Sequence, residues 1–285
     1  MNILAFETTG KYASVACIDR DGKVIEKKSE NVLSHLQSLM PLTELLLSEC
    51  FLWDSRFTKR QMTINDVMCI AASSGPGSFT GIRIGVSSAR ALAQALKVPC
   101  ISVPTLQSFL YNDENYKGLV CPVFDARRNQ VYAGAYRFSE KGTEDDATSL
   151  KGSCMCDGVP STDEFDANRT NRINDINEII IGGAYEMDEY LKILRDKADD
   201  LEVSGIMFFG DGIDIYSEKI KDWRDSALKD DIRIEVAEES IRYQTASSVA
   251  KLALKLYNEG KLMGYEKLTP VYMRKAEAER KLSRI

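Results

Sequence analysis

The chain has 285 residues, of which 44% are hydrophobic and 28% charged, and its formal net charge is −6. This length fits about two domains of a soluble α/β protein. An acidic surface repels phosphate backbones, so the composition argues against nucleic-acid binding by the chain alone. No stretch reaches the ~20 apolar residues of a transmembrane helix, and the N-terminus lacks the pattern of a signal peptide. These features predict a cytoplasmic protein that does not contact a membrane.

The cysteine content also favours a reducing compartment. Seven cysteines are present, and Cys17, Cys69, Cys100 and Cys121 lie in or beside apolar runs. Small buried thiols of this kind are typical of cytoplasmic proteins. The pair at Cys154 and Cys156 has the wrong spacing for a zinc knuckle, and no second pair accompanies it. The sequence therefore predicts no metal site.

The first 110 residues predict one lobe, a mixed sheet covered by helices. Short apolar runs predict strands near residues 3 to 6, 13 to 18 and 23 to 28, with an Asp21-Gly22 turn before the third. A helix is expected from about Ser34, as its N-cap, to Cys50, with Pro41 bending it or resetting its start. A strand at 67 to 72, a glycine-rich turn, a helix to Leu96, a strand at 99 to 103 and a helix from Thr105 follow.

Residues 111 to 285 predict a second lobe. Strands are expected at 120 to 124, 131 to 138, 178 to 181, 205 to 209 and 232 to 236, and helices at 187 to 197, 213 to 220 and 245 to 259. Residues 140 to 176 are polar and aperiodic, which predicts a surface excursion. The order of elements predicts an α/β, two-lobed actin/hexokinase/Hsp70-like (ASKHA) fold with mixed sheets flanked by helices.

The turn that follows the fourth strand is the most distinctive local feature. Gly75 and Gly77 flank Pro76, so the chain turns sharply before a helix that Ser78 or Thr80 can cap. One interpretation is a cradle for the phosphates of a nucleotide; the other is an ordinary strand-to-helix turn, since the Lys-Ser/Thr of a P-loop is missing. The candidate nucleotide-binding residues, with those after the first strand, are Glu7, Thr8, Thr9, Gly75, Gly77, Ser78 and Thr80.

Two helices carry more apolar surface than one core requires. In the second helix, one arc is centred on Ile82, and a second arc of Ile84, Ala91 and Ala95 lies across a polar stripe. The helix at 34 to 50 likewise points leucines in several directions. Either both helices are sandwiched inside a large core, or they present a joint face to another protein. The candidate interface residues are Leu36, Leu39, Met40, Leu42, Leu45, Ile82, Arg83, Ile84, Ser87, Ala91 and Ala95.

Catalytic residue types are scarce. His35 is the one histidine of the chain, so a histidine-rich metal site is excluded and any Ser-His-Asp triad would need this residue. Its place at the start of an apolar helix favours a capping or packing role. The sequence therefore predicts no catalytic site.

Several blocks together resemble the TsaB (YeaZ) family. The segment from Ser74 to Gly85, SGPGSFTGIRIG, is very similar to the family's signature. Ser34-His35, residues 122 to 132, Gly210-Asp211-Gly212, residues 246 to 250 and the tail at 268 to 274 also match family blocks. The resemblance covers the chain except for about residues 140 to 176.

The resemblance implies a non-catalytic partner subunit of the bacterial tRNA N6-threonylcarbamoyladenosine (t6A37) synthase, which binds and activates the subunit TsaD. TsaD holds the metal, the ATPase TsaE joins the complex, and ATP is used by the complex, so no cofactor is expected on this chain. Thr105 and Phe109 stand at the positions of two TsaD histidines. tRNA is expected only through the complex, and a homodimer when TsaD is absent.

Two departures and three alternatives remain at this stage. Glu7 stands where the family usually has Asp, and the polar excursion makes the chain longer than usual. A small-molecule kinase of the same fold class needs convincing phosphate loops and a catalytic Asp, which the sequence does not supply. A glycoprotease-like peptidase needs a metal site or a triad. A self-associating regulatory protein would use the same apolar helices.

Overall fold

The computed structural model describes residues 1–30, 35–53, 59–139, 175–201, 203–227 and 232–273. The strands are β1 Asn2–Glu7, β2 Ser14–Asp19, β3 Val24–Lys28, β4 Phe51–Trp53, β5 Lys59–Gln61, β6 Cys69–Gly75, β7 Cys100–Pro104, β8 Leu119–Asp125, β9 Gln130–Phe138, β10 Ile176–Glu186, β11 Gly205–Phe209 and β12 Arg233–Val236. The α-helices are α1 His35–Glu49, α2 Phe79–Leu96, α3 Thr105–Ser108, α4 Met187–Asp200, α5 Gly212–Ala227, α6 Glu239–Arg242 and α7 Ala246–Asn258.

The two main sheets have the same topology. The first has the order β3-β2-β1-β6-β7 and the second the order β10-β9-β8-β11-β12. In each sheet the first three strands of the lobe form an antiparallel meander, and the last two pair in parallel beside the first. This repeated arrangement of mixed sheets flanked by helices confirms the expected actin/hexokinase/Hsp70-like fold.

Helices and sheets alternate in layers, and side-chain alternation along the strands decides which layer each residue enters. Leu4 and Phe6 of β1 join an outer core with α1 and α2, whereas Ile3 and Ala5 face an inner core with α3 and α7. The inner core also contains Phe124 and other residues of the second sheet. A third core lies between that sheet and helices α4 and α5. The outer layer of the first lobe is therefore α1 and α2.

Helix α7 returns to the first sheet although it follows the second along the chain. The backbone N–H of Ala246 donates to Ser14 Oγ and to Glu26 Oε1, both at 2.8 Å, and Ser247 Oγ donates to Glu26 Oε2 at 2.6 Å. The first backbone N–H of α7, which has no partner within the helix, is thus hydrogen-bonded to side chains of β2 and β3. The strands of the first sheet end at Pro104 and those of the second begin at Leu119, whereas the later α7 packs on the first sheet.

Sequence and structure differ mainly at element ends. The first helix begins at His35 and continues through Pro41, so the proline does not reset its start; the expected cap Ser34 lies outside the described residues. The β4–β5 hairpin and the short helix α6 were not predicted. The polar excursion lies outside the described residues up to residue 174, and β10 already begins at Ile176.

The expectation of small buried cysteines is met where the structure describes the chain. Cys17, Cys69, Cys100 and Cys121 are buried and free, as is Cys50, whereas Cys154 and Cys156 lie outside the described residues. Among the described helices, none has the length and apolar character that a bilayer crossing needs.

Asn112 provides a test of how the inner layer is held. Its Nδ2 donates to the carbonyl oxygens of Ile241 at 2.6 Å and Tyr243 at 2.9 Å, and its Oδ1 accepts from Ser248 Oγ. Asn112→Ala leaves these groups without partners, and we expect a loss of about 1 to 3 kcal/mol in the free energy of unfolding. Chemical denaturation measures it. Asn115→Ala, at an exposed site, is the matched control; equal stability of the two variants would contradict the role of Asn112.

Candidate functional site

A buried carboxylate organises the glycine-rich turn. Glu7, the last residue of β1, is fully buried. Its Oε1 accepts from the backbone N–H and the hydroxyl of Thr9, the latter at 2.6 Å, and its Oε2 accepts from Ser73 Oγ in β6. Burial raises the pKa of this carboxyl, against the lowering effect of these hydrogen bonds. Glu7 thus ties together the end of β1, the loop after it and the strand that leads into the turn.

The loop after β1 is seated directly against the start of α2. Thr8 Oγ1 donates to the carbonyl of Gly81 at 2.7 Å, and Ser78 N donates to Thr9 O at 2.8 Å. A Cβ atom at Gly77 would lie 2.6 Å from Thr9 Cβ, and a Cβ at Gly81 would overlap Thr8 O. Only glycine leaves room for this close approach. The side chain of Ser78 caps α2 by accepting from Gly81 N at 3.2 Å.

These contacts bear on the candidate nucleotide-binding residues. The structure brings Glu7, Thr8, Thr9, Gly75, Gly77 and Ser78 together at one turn, with Thr80 exposed one residue into α2. The carboxylate of Glu7 and the hydroxyls of Thr8 and Thr9 are used in bonds within the chain. This geometry favours the structural interpretation of the turn, and nucleotide binding there stays a prediction.

The candidate interface residues divide into exposed and buried sets. On α1, Leu36 is 74% exposed, Leu45 49% and Met40 37%, and Leu42 is half-buried. On α2, an exposed stripe is formed by Arg83, Ser87, Ala91 and Ala95, with Ile84 half-buried beside it. Large apolar side chains exposed in this way on a helix beside small residues are a feature of contact surfaces.

Two of the candidate interface residues are corrected by the structure. Leu39 is 1% exposed and Ile82 2% exposed, and both belong to the outer core of the first lobe. Each side chain is already surrounded by residues of its own chain, so neither is available to a partner.

Leu36 and Leu45 lie on opposite edges of α1. They are nine residues apart, which at 100° per residue places them about 180° from each other around the helix axis. A flat partner surface laid on one edge of α1 therefore contacts one of these two leucines and leaves the other free.

The positions connected with catalysis lie in packed environments. His35 is buried, and burial lowers the pKa of its imidazole. Phe109 is packed between Phe124 and Phe209, with ring centroids 5.4 and 5.8 Å apart, and Thr105 is fully buried nearby. Within the described residues, no group of three or more His, Cys, Asp and Glu side chains is placed to hold a metal.

Sequence reasoning missed two features of the surface. Phe79 and Tyr272 are large exposed residues that contact Arg83; Phe79 was read only as part of the signature and Tyr272 only as part of the tail. The other feature is the β8–β9 turn, where Arg127, Arg128 and Asn129 have φ of 61°, 57° and 60°. Three successive non-glycine residues in the left-handed region are rare; Asn129 is of a residue type enriched there, whereas no local sequence signal marks the two arginines.

Substitution of Glu7 separates its charge from its hydrogen bonds. In Glu7→Gln, the amide oxygen still accepts from Thr9 and the amide nitrogen donates to Ser73 Oγ, so we expect the fold to be retained. Glu7→Ala leaves these donors unpaired, and we expect a cost of about 3 kcal/mol. The free energies of unfolding, measured by denaturant titration, test both expectations.

The glutamine variant also carries a pH signature. Because the folded-state pKa of Glu7 is raised above its usual 4.5, the folded chain holds this proton more tightly than the unfolded chain. Ionisation of Glu7 therefore lowers the stability of the wild type as pH rises from 4.5 to the folded-state pKa. The stability of Glu7→Gln relative to wild type should increase across that window and then level off. A stability difference between Glu7→Gln and wild type that does not change with pH would contradict it.

Comparison with known proteins gives the family. The family model described as TsaD: tRNA N6-adenosine threonylcarbamoyltransferase matches residues 29–282. The tRNA threonylcarbamoyladenosine biosynthesis protein TsaB of Bacillus subtilis is 35% identical over 48% of this chain and 56% of that protein. The TsaB protein of Escherichia coli is 32% identical over 50% of this chain and 58% of that protein. The aligned regions span about half the length of these curated relatives.

A solved structure extends the likeness over the fold. YeaZ from Pseudomonas aeruginosa superposes with a TM-score of 0.58 and 19% identity, covering 95% of this chain and 99% of that chain. The family model, the sequence relatives and this common fold agree with the motif of the glycine-rich turn. The chain belongs to the family described by the TsaD model and, within it, to the TsaB/YeaZ group.

Proposed function

We propose that the chain is the non-catalytic partner subunit of a tRNA N6-threonylcarbamoyladenosine synthase and that it binds and activates a TsaD subunit. In this proposal TsaD carries the metal and the chemistry, TsaE joins the complex, and ATP is used by the complex. tRNA contacts this chain only within the complex. The names of the relatives, tRNA threonylcarbamoyladenosine biosynthesis protein TsaB, support a place in this pathway.

The observation that carries the proposal is the outer face of α1 and α2. Helix α1 exposes Leu36, Met40 and Leu45. It lies beside α2, whose exposed stripe contains the small residues Ser87, Ala91 and Ala95. Small residues allow the backbone of another helix to come close, and exposed leucines supply apolar area. Two such helices meeting an equivalent pair would form a four-helix contact of about 1,200 to 2,000 Å², the size of specific interfaces. The same face serves self-association when TsaD is absent.

The packing around Thr105 and Phe109 supports the non-catalytic part of the proposal. Neither side chain supplies an imidazole, and Phe109 fills its site with an aromatic ring. The kinase alternative is disfavoured by the internal use of Glu7, Thr8 and Thr9, because the first phosphate loop of a kinase must offer free donors to the nucleotide. For the peptidase alternative, the described part of the chain has no group of three or more His, Cys, Asp and Glu side chains placed to hold a metal that could activate water.

Reconstitution tests the division of labour. We expect the purified chain alone to form no threonylcarbamoyladenosine on tRNA, and full activity only with TsaD, TsaE and a source of threonylcarbamoyl-adenylate. The acidic balance also predicts weak tRNA binding by the chain alone. Mass spectrometry of nucleosides measures the modification and a filter-binding titration measures the affinity. Modification by the chain alone, or tight tRNA binding at physiological salt, would overturn the proposal.

Charged substitutions test the interface. We expect the single variant Ala91→Glu to weaken TsaD binding by on the order of 100-fold. Of the two single variants Leu36→Glu and Leu45→Glu, we expect one to weaken binding to the same extent. A charge forced into an apolar contact costs several kcal/mol, and each 1.4 kcal/mol is a factor of ten in Kd. Isothermal titration calorimetry gives Kd. Because Leu36 and Leu45 lie on opposite edges of α1, the variant that loses binding identifies the edge in contact.

The controls separate loss of contact from loss of fold. Ile215→Glu replaces an apolar residue that is 60% exposed on α5, remote from the proposed face, and should bind normally. Leu39→Glu places a charge in the core and should unfold the chain, as circular dichroism and thermal melting would show. If Ala91→Glu, Leu36→Glu and Leu45→Glu all bind TsaD normally, the interface lies elsewhere.

A further inference from the structure

Three side chains at the start of α2 form a compact exposed cluster, which we call the arginine clasp: Phe79, Arg83 and Tyr272. The rings of Phe79 and Tyr272 have centroids 4.8 Å apart. The guanidinium carbon of Arg83 lies 4.0 Å from the centroid of Phe79 and 5.8 Å from that of Tyr272. Arg83 Nε donates to Tyr272 Oη at 2.8 Å, across 189 residues of chain.

The backbone holds Tyr272 in place. The N–H of the preceding residue, Val271, donates to Ser74 O at 2.8 Å, next to the glycine-rich turn. A Cβ at Gly75 would lie 2.5 Å from Val271 O, so the absence of a side chain at Gly75 admits the tail segment. Two backbone contacts thus set the tyrosine over the first turn of α2, and the cluster is part of the packed structure of the lobe.

The clasp orients one face of the guanidinium and leaves the other open. Nε is used by Tyr272, while Nη1 and Nη2 have no hydrogen-bond or ion-pair partner within the described residues. A guanidinium fixed on aromatic rings has lost its rotamer freedom before binding, and its two outer nitrogens match the geometry of a carboxylate. On a chain of net charge −6, such a fixed cation complements an anionic group.

The clasp is also continuous with the face proposed to bind the partner. Arg83 lies on the exposed stripe of α2 with Ser87 and Ala91, one and two turns further on. Phe79 and Tyr272 are each 41% exposed, so their covering would remove apolar area from water. Aromatic residues and arginine are the residue types that dominate the binding energy of interfaces.

We propose that the arginine clasp is an anchor of the partner contact and receives a carboxylate side chain of the TsaD-type subunit as a paired, two-hydrogen-bond contact with Nη1 and Nη2. This inference rests on the proposed function. It adds Phe79 and Tyr272 to the contact surface, makes Tyr272 the residue that positions Arg83, and assigns an acidic group to the partner at the Phe79 end of α2.

Conservative substitutions in the full-length chain test the clasp by calorimetric titration against TsaD. We expect Arg83→Lys to weaken binding about tenfold, because lysine keeps the charge and loses the paired geometry. Tyr272→Phe, which keeps the ring and loses the hydrogen bond to Nε, should lose less, and Tyr272→Ala at least as much as Arg83→Lys. The control Arg233→Lys, at an exposed site of β12, should bind as wild type. All variants should keep the melting temperature of wild type within a few degrees.

Salt dependence adds a readout that a purely structural role would not move. Raising NaCl from 50 to 500 mM should weaken wild-type binding more than that of Arg83→Gln, since the variant lacks the charge contact. Equal salt slopes for the two proteins would overturn the assignment of a carboxylate.

The remaining outcomes separate this inference from the proposed function. Suppose that wild type binds TsaD and that the charged variants of α1 and α2 lose this binding. If Arg83→Lys and Tyr272→Ala then bind normally, the clasp proposal alone is wrong. If wild type does not bind TsaD, both proposals fall. Two results would show another occupant and overturn the inference: a change in self-association alone, measured by analytical ultracentrifugation, or a tenfold gain in affinity when Glu277 and Glu279 of the chain's own tail are changed to Gln.

Discussion

The architecture of the first lobe depends on a carboxylate buried at the end of the first strand. Glu7 joins the loop at Thr9 to Ser73 of the neighbouring strand, and this fixes where the glycine-rich turn begins. The seated loop then sets the first turn of α2 through Thr8 and Gly81. A buried carboxylate is costly unless hydrogen bonds satisfy it, and here they come from the segments that must be held together. The position of α2, and with it the exposed stripe and the clasp, follows from this one group.

The glycines of the signature therefore have a mechanical reason in this chain. Gly77 and Gly81 let the loop after β1 approach the helix, and Gly75 lets the tail approach the turn. On sequence grounds alone, a phosphate cradle was an alternative interpretation of the same motif. The structure shows three backbone segments meeting where a phosphate loop would need open space, which is why the geometry favours a scaffold that fixes the position of α2.

Much of the fold was predictable because its signals are local. Strand runs, the Gly75-Pro76-Gly77 turn and the periodicity of α2 each lie within one short window of sequence. The helical periodicity of α1 gives the angles between its side chains but not which side of the helix faces the sheet. Leu39 and Leu36 were therefore both predicted to be interface residues, although Leu39 is buried and Leu36 is exposed. Which arc is buried depends on tertiary packing.

Contacts between residues far apart in the chain could not be predicted from the sequence, because they too depend on tertiary packing. The return of α7 to the first sheet rests on a bond between Ala246 and Ser14, 232 residues apart. The clasp joins Arg83 to Tyr272, 189 residues apart. No periodicity or spacing rule relates residues at such separations. The resemblance to the family identified both the segment from Ser74 to Gly85 and the tail at 268 to 274, but it did not predict that the two segments are in contact.

The repeated topology offers an internal comparison of the outer helices. The two sheets have the same strand order, and each has a pair of helices on its outer side. Helix α4, MDEYLKILRDKADD, faces solvent with charged side chains, and those of α5 follow the same pattern apart from Ile215. Helix α1, HLQSLMPLTELLLSE, has few charges and exposes Leu36, Met40 and Leu45. Since both pairs face the same structural demand from their sheets, packing alone does not explain the apolar outer surface of α1. The proposed partner contact accounts for this surface, and in that proposal the clasp at the start of α2 adds a charged group beside the apolar face.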